Sequence, residues 1–416
     1  MELNWAKSVK VRLSILLGMA NATYLLVAKS VIAAPENFNP ELESAAQAAE
    51  IEDAEKNLHP VTPTTPPEEP VRVPPINRQK KATVPLPAPT INNEASITSG
   101  TADIELKTKK PTKTSASSSS LEVNSLTLDF QLDLDNFGQT NLLTNQKIDF
   151  NLFDLDLIFD TGVNLFKQDD IETVNNIPLY LSWETAIGKT DLTVTGGVDF
   201  FDRLAAVPTA TIKASSPLFS SVAPNGKLQS LFVLSGQVRY QAYKFNAEAL
   251  ENEISSWRFT PSVYWQITPD LSLFSLGQYG NFNDGNQELQ SFSRLEKKLG
   301  SFSVAANLFT WNFESDLSTQ SGYFSPTDFL VYNGELGWQG TMFDEVLNCK
   351  LSAAFGKQTL EGTTDNAWTY KALCRAQLLD NLKLDLGYTY SNVRDRNTGH
   401  TSFGNQTIKG TLDIKL

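Results

Sequence analysis

The chain has 416 residues, a formal net charge of −13 and a mean hydropathy of −0.24. Residues 1–120 hold equal numbers of acidic and basic residues, so the excess acidity belongs to the remainder. This balance excludes a general nucleic-acid-binding surface, which needs a basic footprint. After residue 33, no segment contains the roughly 18 consecutive apolar residues expected of a membrane-spanning helix.

The first 33 residues have the organisation of an export signal. Lys7, Lys10 and Arg12 precede an apolar stretch that ends at Ala33, where small residues form a cleavage zone. We predict a signal peptide over 1–33, with an uncleaved anchor as the alternative. The protein is therefore expected to be exported.

Residues 34–120 are predicted to form a disordered, Pro/Lys/Ser-rich periplasmic linker. A short helix is expected near 41–58, because Asn39 and Pro40 are favourable at a helix start. The prolines that follow leave too little apolar surface to offset conformational entropy. The lysines near residue 110 form either a solvated spacer or a contact with an anionic periplasmic polymer or membrane surface.

From residue 121 to the end, apolar and polar residues alternate, as in Leu382, Leu384 and Leu386 against Lys383 and Asp385. Period-two alternation predicts strands with one apolar and one polar face. Most runs reach the roughly 9–11 residues that a tilted membrane strand needs. The predicted strands are 125–135, 147–159, 177–186, 190–202, 208–216, 229–241, 242–250, 255–267, 270–282, 287–297, 301–313, 327–340, 346–358, 367–379, 382–393 and 403–416.

The fold class predicted for 121–416 is all-β: a transmembrane antiparallel β-barrel of about 16 strands, with 14 as the alternative. Tight turns alternate with longer loops, expected at 161–176, 217–228, 314–326 and 394–402. Short turns on one side and longer loops on the other are typical of outer-membrane barrels. Sixteen strands leave a lumen wide enough for an aqueous channel.

Three stretches resemble a known family. They are Gly322–Phe329 with the strand that follows, Tyr279–Gln287, and the strand pair Trp257–Ile267 and Leu271–Phe282. Over roughly 230–416 the chain resembles the C-terminal barrel of exopolysaccharide exporters, namely the outer-membrane subunit of cellulose synthase and the poly-N-acetylglucosamine porin. The resemblance implies a sixteen-stranded barrel that passes a polysaccharide. Those exporters also carry tetratricopeptide repeats, and residues 34–120 show no 34-residue helical repeat.

The polar face of the strands is the predicted functional surface. The candidate pore-lining residues are acidic: Asp129, Asp133, Asp149, Asp154, Asp156 and Glu335. The alternation changes phase between residues 149 and 154, so a bulge near Leu152 and Phe153 is expected to keep the carboxylates on one face. Such a lumen would attract cations. The alternative is that the carboxylates only hydrate the wall of an ordinary porin.

Cys349 and Cys374 lie on the apolar side of adjacent predicted strands. A hairpin turning near Gly362 would set them opposite each other. Disulfides form beyond the inner membrane, and cross-strand pairs approach disulfide geometry. The pattern therefore predicts a disulfide, with free thiols facing lipid as the alternative.

No catalytic site, metal or cofactor is predicted. The two histidines, His59 and His400, lie in the linker and in a loop. No residue can be named that would orient either histidine as a catalytic base, and the chain has no nucleophile motif. The chain also lacks metal-ligand spacings and a phosphate-cradling glycine loop. We predict that the protein is not an enzyme.

Three functions are consistent with this pattern. The first is an outer-membrane channel that exports a neutral or cationic polysaccharide or serves a related envelope transport task. The second is a cation-preferring diffusion porin, and the third is a structural barrel that links the outer membrane to the cell wall. The predicted location is the outer membrane of a Gram-negative-type cell, with a sequence style like that of cyanobacterial envelope proteins. The predicted partners are membrane lipid, the barrel-insertion machinery, a polysaccharide and peptidoglycan, and no nucleic acid.

Overall fold

A computed structural model describes residues 121–135, 138–153, 155–223, 228–342, 346–393 and 403–416. The predicted signal peptide, the linker with its helix, and both histidines lie outside these residues. Within the described part of the chain, no helix is long and apolar enough to span a membrane.

Sixteen antiparallel strands close into one barrel, which confirms the predicted fold class. Each strand pairs with its neighbours in sequence, and β1 pairs with β16 from Ser125–Lys415 to Asp135–Asn405. The strands are β1 (Glu122–Asp135), β2 (Thr140–Leu152), β3 (Leu155–Gln168), β4 (Ile171–Ile187), β5 (Thr190–Phe201), β6 (Val207–Val222), β7 (Leu228–Ala242), β8 (Ser255–Thr268), β9 (Leu271–Phe282), β10 (Gln287–Leu299), β11 (Phe302–Phe313), β12 (Phe329–Met342), β13 (Leu347–Leu360), β14 (Thr363–Leu379), β15 (Leu382–Val393) and β16 (Phe403–Lys415).

The two ends of the barrel differ in their connections. The end that holds the start of β1 and the end of β16, called here the terminus end, has mostly short turns between strands. The opposite end, called the loop end, carries the long β7–β8 and β11–β12 connections. These contain two short helices, α1 (Ala247–Glu251) and α2 (Ser318–Ser321).

The predicted strand 147–159 is wrong, as is the loop at 161–176. The chain turns at Phe153, which has a φ of 51°, and continues as β3 instead of passing through a bulge. The phase change in the sequence marks this turn. Gly162 lies within β3, where a Cβ would meet the Thr144 carbonyl oxygen at 1.7 Å. A glycine here lets two strands approach closely.

The predicted strand 242–250 is also wrong, because β7 ends at Ala242 and α1 occupies residues 247–250. The Asn246 side chain accepts a hydrogen bond from the Ala249 backbone N–H at 2.8 Å, which caps the helix. The total of sixteen strands holds because this false strand offsets the turn that was missed at Phe153. Of the expected loops, 217–228 is shortened by β6, 314–326 is confirmed, and 394–402 lies outside the described residues.

Candidate functional site

The two faces of the barrel wall differ in chemistry. Large apolar side chains remain exposed on the outer face, including Trp183 at 41%, Leu289 at 60% and Phe355 at 56%. The alternate positions of the same strands are largely polar, as at Glu184 and Glu288. An apolar belt around a closed barrel is the arrangement that lipid requires. The polar face therefore encloses the lumen.

The predicted acidic residues that the structure describes all lie on the lumen face; they are Asp129, Asp133, Asp149, Asp156 and Glu335. Asp154 lies outside the described residues. Several have partners: Lys147 Nζ is 3.1 Å from Asp129, and the Thr407 hydroxyl donates to Asp133 at 2.6 Å. Part of the predicted acidity is therefore neutralised locally.

Sequence reasoning missed the basic residues of the same face, although the alternation that located the carboxylates would have found them. Their placement follows from strand register; they are Lys147, Lys213, Arg239, Arg258, Arg294, Lys298, Lys350, Lys371, Arg375, Lys383, Lys409 and Lys415. The lumen therefore carries charges of both signs.

Arg294 is the centre of a buried ionic network on the lumen wall. Its guanidinium lies 2.5 Å from a Glu296 oxygen and 2.7 Å from a Glu335 oxygen, and it donates to the Asn307 side chain at 3.1 Å. Lys350 Nζ stands 4.0 Å from the same Glu296 oxygen. Because two carboxylates meet two cations, this part of the wall is close to neutral.

Two connections fold inward and cover part of the lumen at the loop end. We call residues 243–254 and 314–328 the cap. The Gln139 and Asn141 side chains of the β1–β2 region donate to the Phe245 carbonyl at 3.0 and 3.1 Å, although residue 245 follows β7. The first cap segment therefore reaches across the barrel. It joins the second through the Asn246 amide, which donates to the Gly322 carbonyl at 2.8 Å.

A polar cluster fixes the cap to the wall. The Asp199 side chain is fully buried and lies 2.7 Å from Lys244 Nζ of the cap. The same carboxylate accepts from Tyr180 at 2.6 Å, Thr209 at 3.0 Å and Asn176 at 3.2 Å. All three of these donors belong to the wall, whereas Lys244 belongs to the cap. We call the Lys244–Asp199 pair the latch.

Aromatic packing supports the cap from the other side of the lumen. Tyr323 is fully buried, and its ring centroid lies 5.3 Å from Phe282 and 5.2 Å from Tyr243. The Arg258 guanidinium sits 4.5 Å from the Tyr243 centroid, within cation–π range. Burial raises the pKa of Tyr243 and of Tyr323, and the neighbouring Asp284 carboxylate raises that of Tyr323 further. Both phenols stay neutral in the closed cap.

Helix α1 packs against β4 and β3, which lie three and four strands away from β7 around the barrel. Ala247 and Leu250 contact Phe166 of β3 and Val174 of β4 in one buried cluster. Arg203, in the β5–β6 connection, forms an ion pair with Glu251 at the end of α1. Apolar contacts and ion pairs thus hold the first cap segment at both sides of the lumen.

The two cysteines lie on the outer face of the barrel. Cys349 and Cys374 are directly paired between β13 and β14, with their Cα atoms 4.1 Å apart, and the structure joins them in a disulfide. The bond is distant from the cap and the lumen face, so its role is confined to the wall.

A closed 16-stranded barrel with an apolar exterior and a polar lumen is the fold of an outer-membrane β-barrel protein. No protein-family model matches the chain, and no curated protein matches it. Among solved structures, a bacterial polysaccharide outer membrane secretin is similar, with a TM-score of 0.56 and 12% identity over 71% of this chain and 99% of that chain.

Two further barrels are similar at lower TM-scores. CdiB from Acinetobacter baumannii has a TM-score of 0.43 and 10% identity over 71% of this chain and 66% of that chain. OccK7 (OpdD) from Pseudomonas aeruginosa has a TM-score of 0.37 and 11% identity over 72% of this chain and 99% of that chain.

Proposed function

We propose that the protein is an outer-membrane channel whose lumen is the permeation path and whose cap closes that path at the loop end. The observation that carries the proposal is the cap, which reaches from β7 to the β1–β2 region through the Phe245 carbonyl and is fixed to the wall by the latch. Asp191, Lys213 and Lys409 are exposed on the lumen face, so the walls leave accessible space between them. Long loops face the exterior in such barrels, which places the cap at the cell surface.

A neutral polysaccharide is the substrate class that the wall favours. On β4 to β9 the lumen face presents hydroxyl and amide groups, as in the Ser182–Thr195 pair at 2.7 Å and the Ser215–Ser235 pair at 2.8 Å. Such groups can exchange hydrogen bonds with sugar hydroxyls at little cost. The fold likeness to a polysaccharide secretin supports this choice.

A diffusion porin is the second candidate, supported by the accessible charged lumen. The carboxylates of β1 to β5 favour cations, but the lysines and arginines of β7 to β16 oppose them, so any cation preference is expected to be weak. The structural barrel is the third, since a linker over 34–120 could reach the cell wall. None of the three functions requires catalysis.

A variant with a shortened cap separates these functions. The Tyr243 N–H donates to the Ile254 carbonyl at 2.7 Å, so a short Gly-Ser turn can replace residues 244–253. We expect this variant to conduct steadily in planar bilayers. Cello-oligosaccharides added at the terminus end should then block the current for times that grow with chain length.

Each alternative has its own result. Steady current without length-dependent blocks would favour the diffusion porin and contradict polysaccharide export. A shortened-cap barrel that folds, shown by heat-modifiable gel migration, but carries no current would contradict the channel altogether.

A further inference from the structure

A stripe of apolar side chains crosses the lumen face of β8 to β11. Tyr264 stands directly opposite Phe274, and Phe292 stands opposite both Leu276 and Phe309, so the members follow one another from strand to strand. The lumen stripe, as we call it, consists of Tyr264, Phe274, Leu276, Phe292, Phe309 and Trp311. It begins four residues from the terminus end of β8 and finishes two residues from the loop end of β11, so it climbs along the lumen.

The cap covers the upper part of the lumen stripe. The ring centroid of Phe324, a cap residue, lies 5.7 Å from that of Trp311, and Phe309 belongs to the same buried aromatic cluster. Phe292 packs at the edge of this cluster, whereas Tyr264 and Phe274 are not members of it. The lower part of the stripe therefore extends beyond the cap toward the terminus end.

The lower rings keep part of their surface accessible. Tyr264, Phe274 and Phe292 are each half-buried, and the ring centroids of Phe274 and Phe292 lie 6.2 Å apart. Leaving apolar surface in contact with water is unfavourable, and a wall that only has to be wetted would carry polar side chains here. An accessible apolar patch with a polar rim is a feature of ligand-binding grooves.

Neutral polar side chains form such a rim. Ser262 and Gln266 flank Tyr264 on the lumen face of β8, and Ser272 is the lumen-face neighbour of Phe274 on β9. Binding sites for small molecules and cofactors combine apolar and aromatic walls with a few polar groups that fix the orientation of the ligand. The lower rings and their rim have this composition.

The ions beside the stripe neutralise one another. Arg294 stands directly opposite Phe274 in the strand register, and its guanidinium lies 2.5 Å from a Glu296 oxygen and 2.7 Å from a Glu335 oxygen. A charged polymer would have to compete with these buried contacts, whereas a neutral polymer leaves them intact. The surroundings of the lower rings therefore favour a neutral ligand.

From this arrangement we infer that the lumen stripe is a binding track for the pyranose rings of a neutral glycan. A pyranose presents C–H groups on its faces and hydroxyls at its rim. Its faces stack on the aromatic rings while its hydroxyls exchange hydrogen bonds with the bordering serines and glutamine. The inference rests on the proposed channel and names the residues that hold its substrate. Because Phe324 covers Trp311 in the closed state, a bound chain reaches the upper rings only when the cap opens.

Equilibrium binding to the full-length protein tests the track. The protein is purified in a detergent without a sugar head group, and the dissociation constant of cellohexaose is measured by calorimetry. Polyethylene glycol of the same mass is the matched ligand, because it is neutral and has no ring faces. We expect cellohexaose to bind at least about tenfold more tightly, since stacking on one aromatic ring contributes about threefold to tenfold.

Ring-removing variants locate the contact. Phe274→Leu and Phe292→Leu keep an apolar side chain but lose the flat ring, so each should weaken cellohexaose binding by about threefold to tenfold. Phe274→Tyr keeps the ring and should bind like the parent protein, which separates stacking from a purely structural role. Phe259→Leu is the matched control, because Phe259 lies on the outer face of β8 with 49% of its surface exposed and should leave binding unchanged.

Two results would overturn the inference. One is equal binding of the two ligands to the parent protein, including no binding of either. The other is cellohexaose binding that both leucine variants leave unchanged.

Conductance of the shortened-cap barrel separates this inference from the proposed function. Ring-dependent binding in a barrel that carries no current would overturn the channel but keep the track. Current without ring-dependent binding would overturn the track but keep the channel. Loss of both current and binding would overturn both.

Discussion

Removing the latch lysine should open the cap. In Lys244→Met, Asp199 keeps its three donors from the wall, so the barrel itself is unchanged. In the closed state, however, the carboxylate is fully buried and loses its counter-ion, which stood 2.7 Å away with only 13% of its side chain exposed. Removing one partner of a buried ion pair costs about 3–5 kcal/mol. In the open state water can reach Asp199, so most of this cost falls on the closed state.

This energy predicts a large functional effect. Since about 1.4 kcal/mol is a tenfold change in an equilibrium constant, the open-to-closed ratio should rise by roughly two to four powers of ten. Open probability from single-channel records in planar bilayers measures the ratio. Lys213→Met is the control, because it removes an exposed lumen lysine that lies opposite Thr193, six residues beyond the loop-end start of β6. Equal open probabilities in the two variants would refute the latch.

A double-mutant cycle distinguishes the latch from general damage. Asp199→Asn alone should also raise open probability. If the two side chains act as a pair, the combined variant should change the free energy of opening by less than the sum of the two single changes. Additive effects would mean that each residue acts independently.

Three further predictions concern other parts of the molecule. The unreduced, unfolded protein should show no free thiol in a thiol-labelling assay, and reduction should lower barrel stability by about 2–4 kcal/mol, typical of a disulfide; labelling of both cysteines would exclude the bond. Arg294→Met should destabilise the barrel in urea by about 3–5 kcal/mol, because Glu296 and Glu335 stay buried without their main cation; an unchanged midpoint would contradict the network. Because burial raises the pKa of Tyr243 and Tyr323, the neutral phenols stabilise the cap fully below their ordinary pKa of about 10, and this stabilisation is lost at higher pH. Phenolate absorbance and conductance should therefore rise together in alkali, and conductance that stays flat while both tyrosines ionise would contradict this role.

Strand alternation was sufficient to predict the barrel and the faces of most charged residues. The period-two pattern of Leu382–Leu386 follows from burial of one face in lipid, a constraint that acts on every residue of a strand. The same rule placed Asp129, Asp133 and Glu335 in the lumen. It failed at Phe153, where a turn of very few residues carried no Gly or Pro to mark it.

The cap could not be predicted, because its contacts are long-range. Lys244 and Asp199 are 45 positions apart in the sequence, and nothing near either residue indicates the pairing. The segment 242–250 is short and apolar enough to be taken for a strand. What excludes a strand there is the Asn246 cap and the partners supplied by β3, β4 and the second cap segment, which only the closed barrel brings together.

The sidedness of lumen access tests the central claim most directly. Ser235→Cys introduces a thiol on the lumen wall. In molecules reconstituted in sealed vesicles, labelling of Lys189→Cys measures the fraction whose terminus end faces outward, and labelling of Thr363→Cys measures the fraction whose loop end faces outward. With an impermeant thiol reagent outside, the capped barrel should be labelled at residue 235 to the same fraction as at residue 189. With the cap shortened, labelling at residue 235 should rise to the sum of the fractions at residues 189 and 363. Equal labelling at residue 235 with and without the cap would contradict the account.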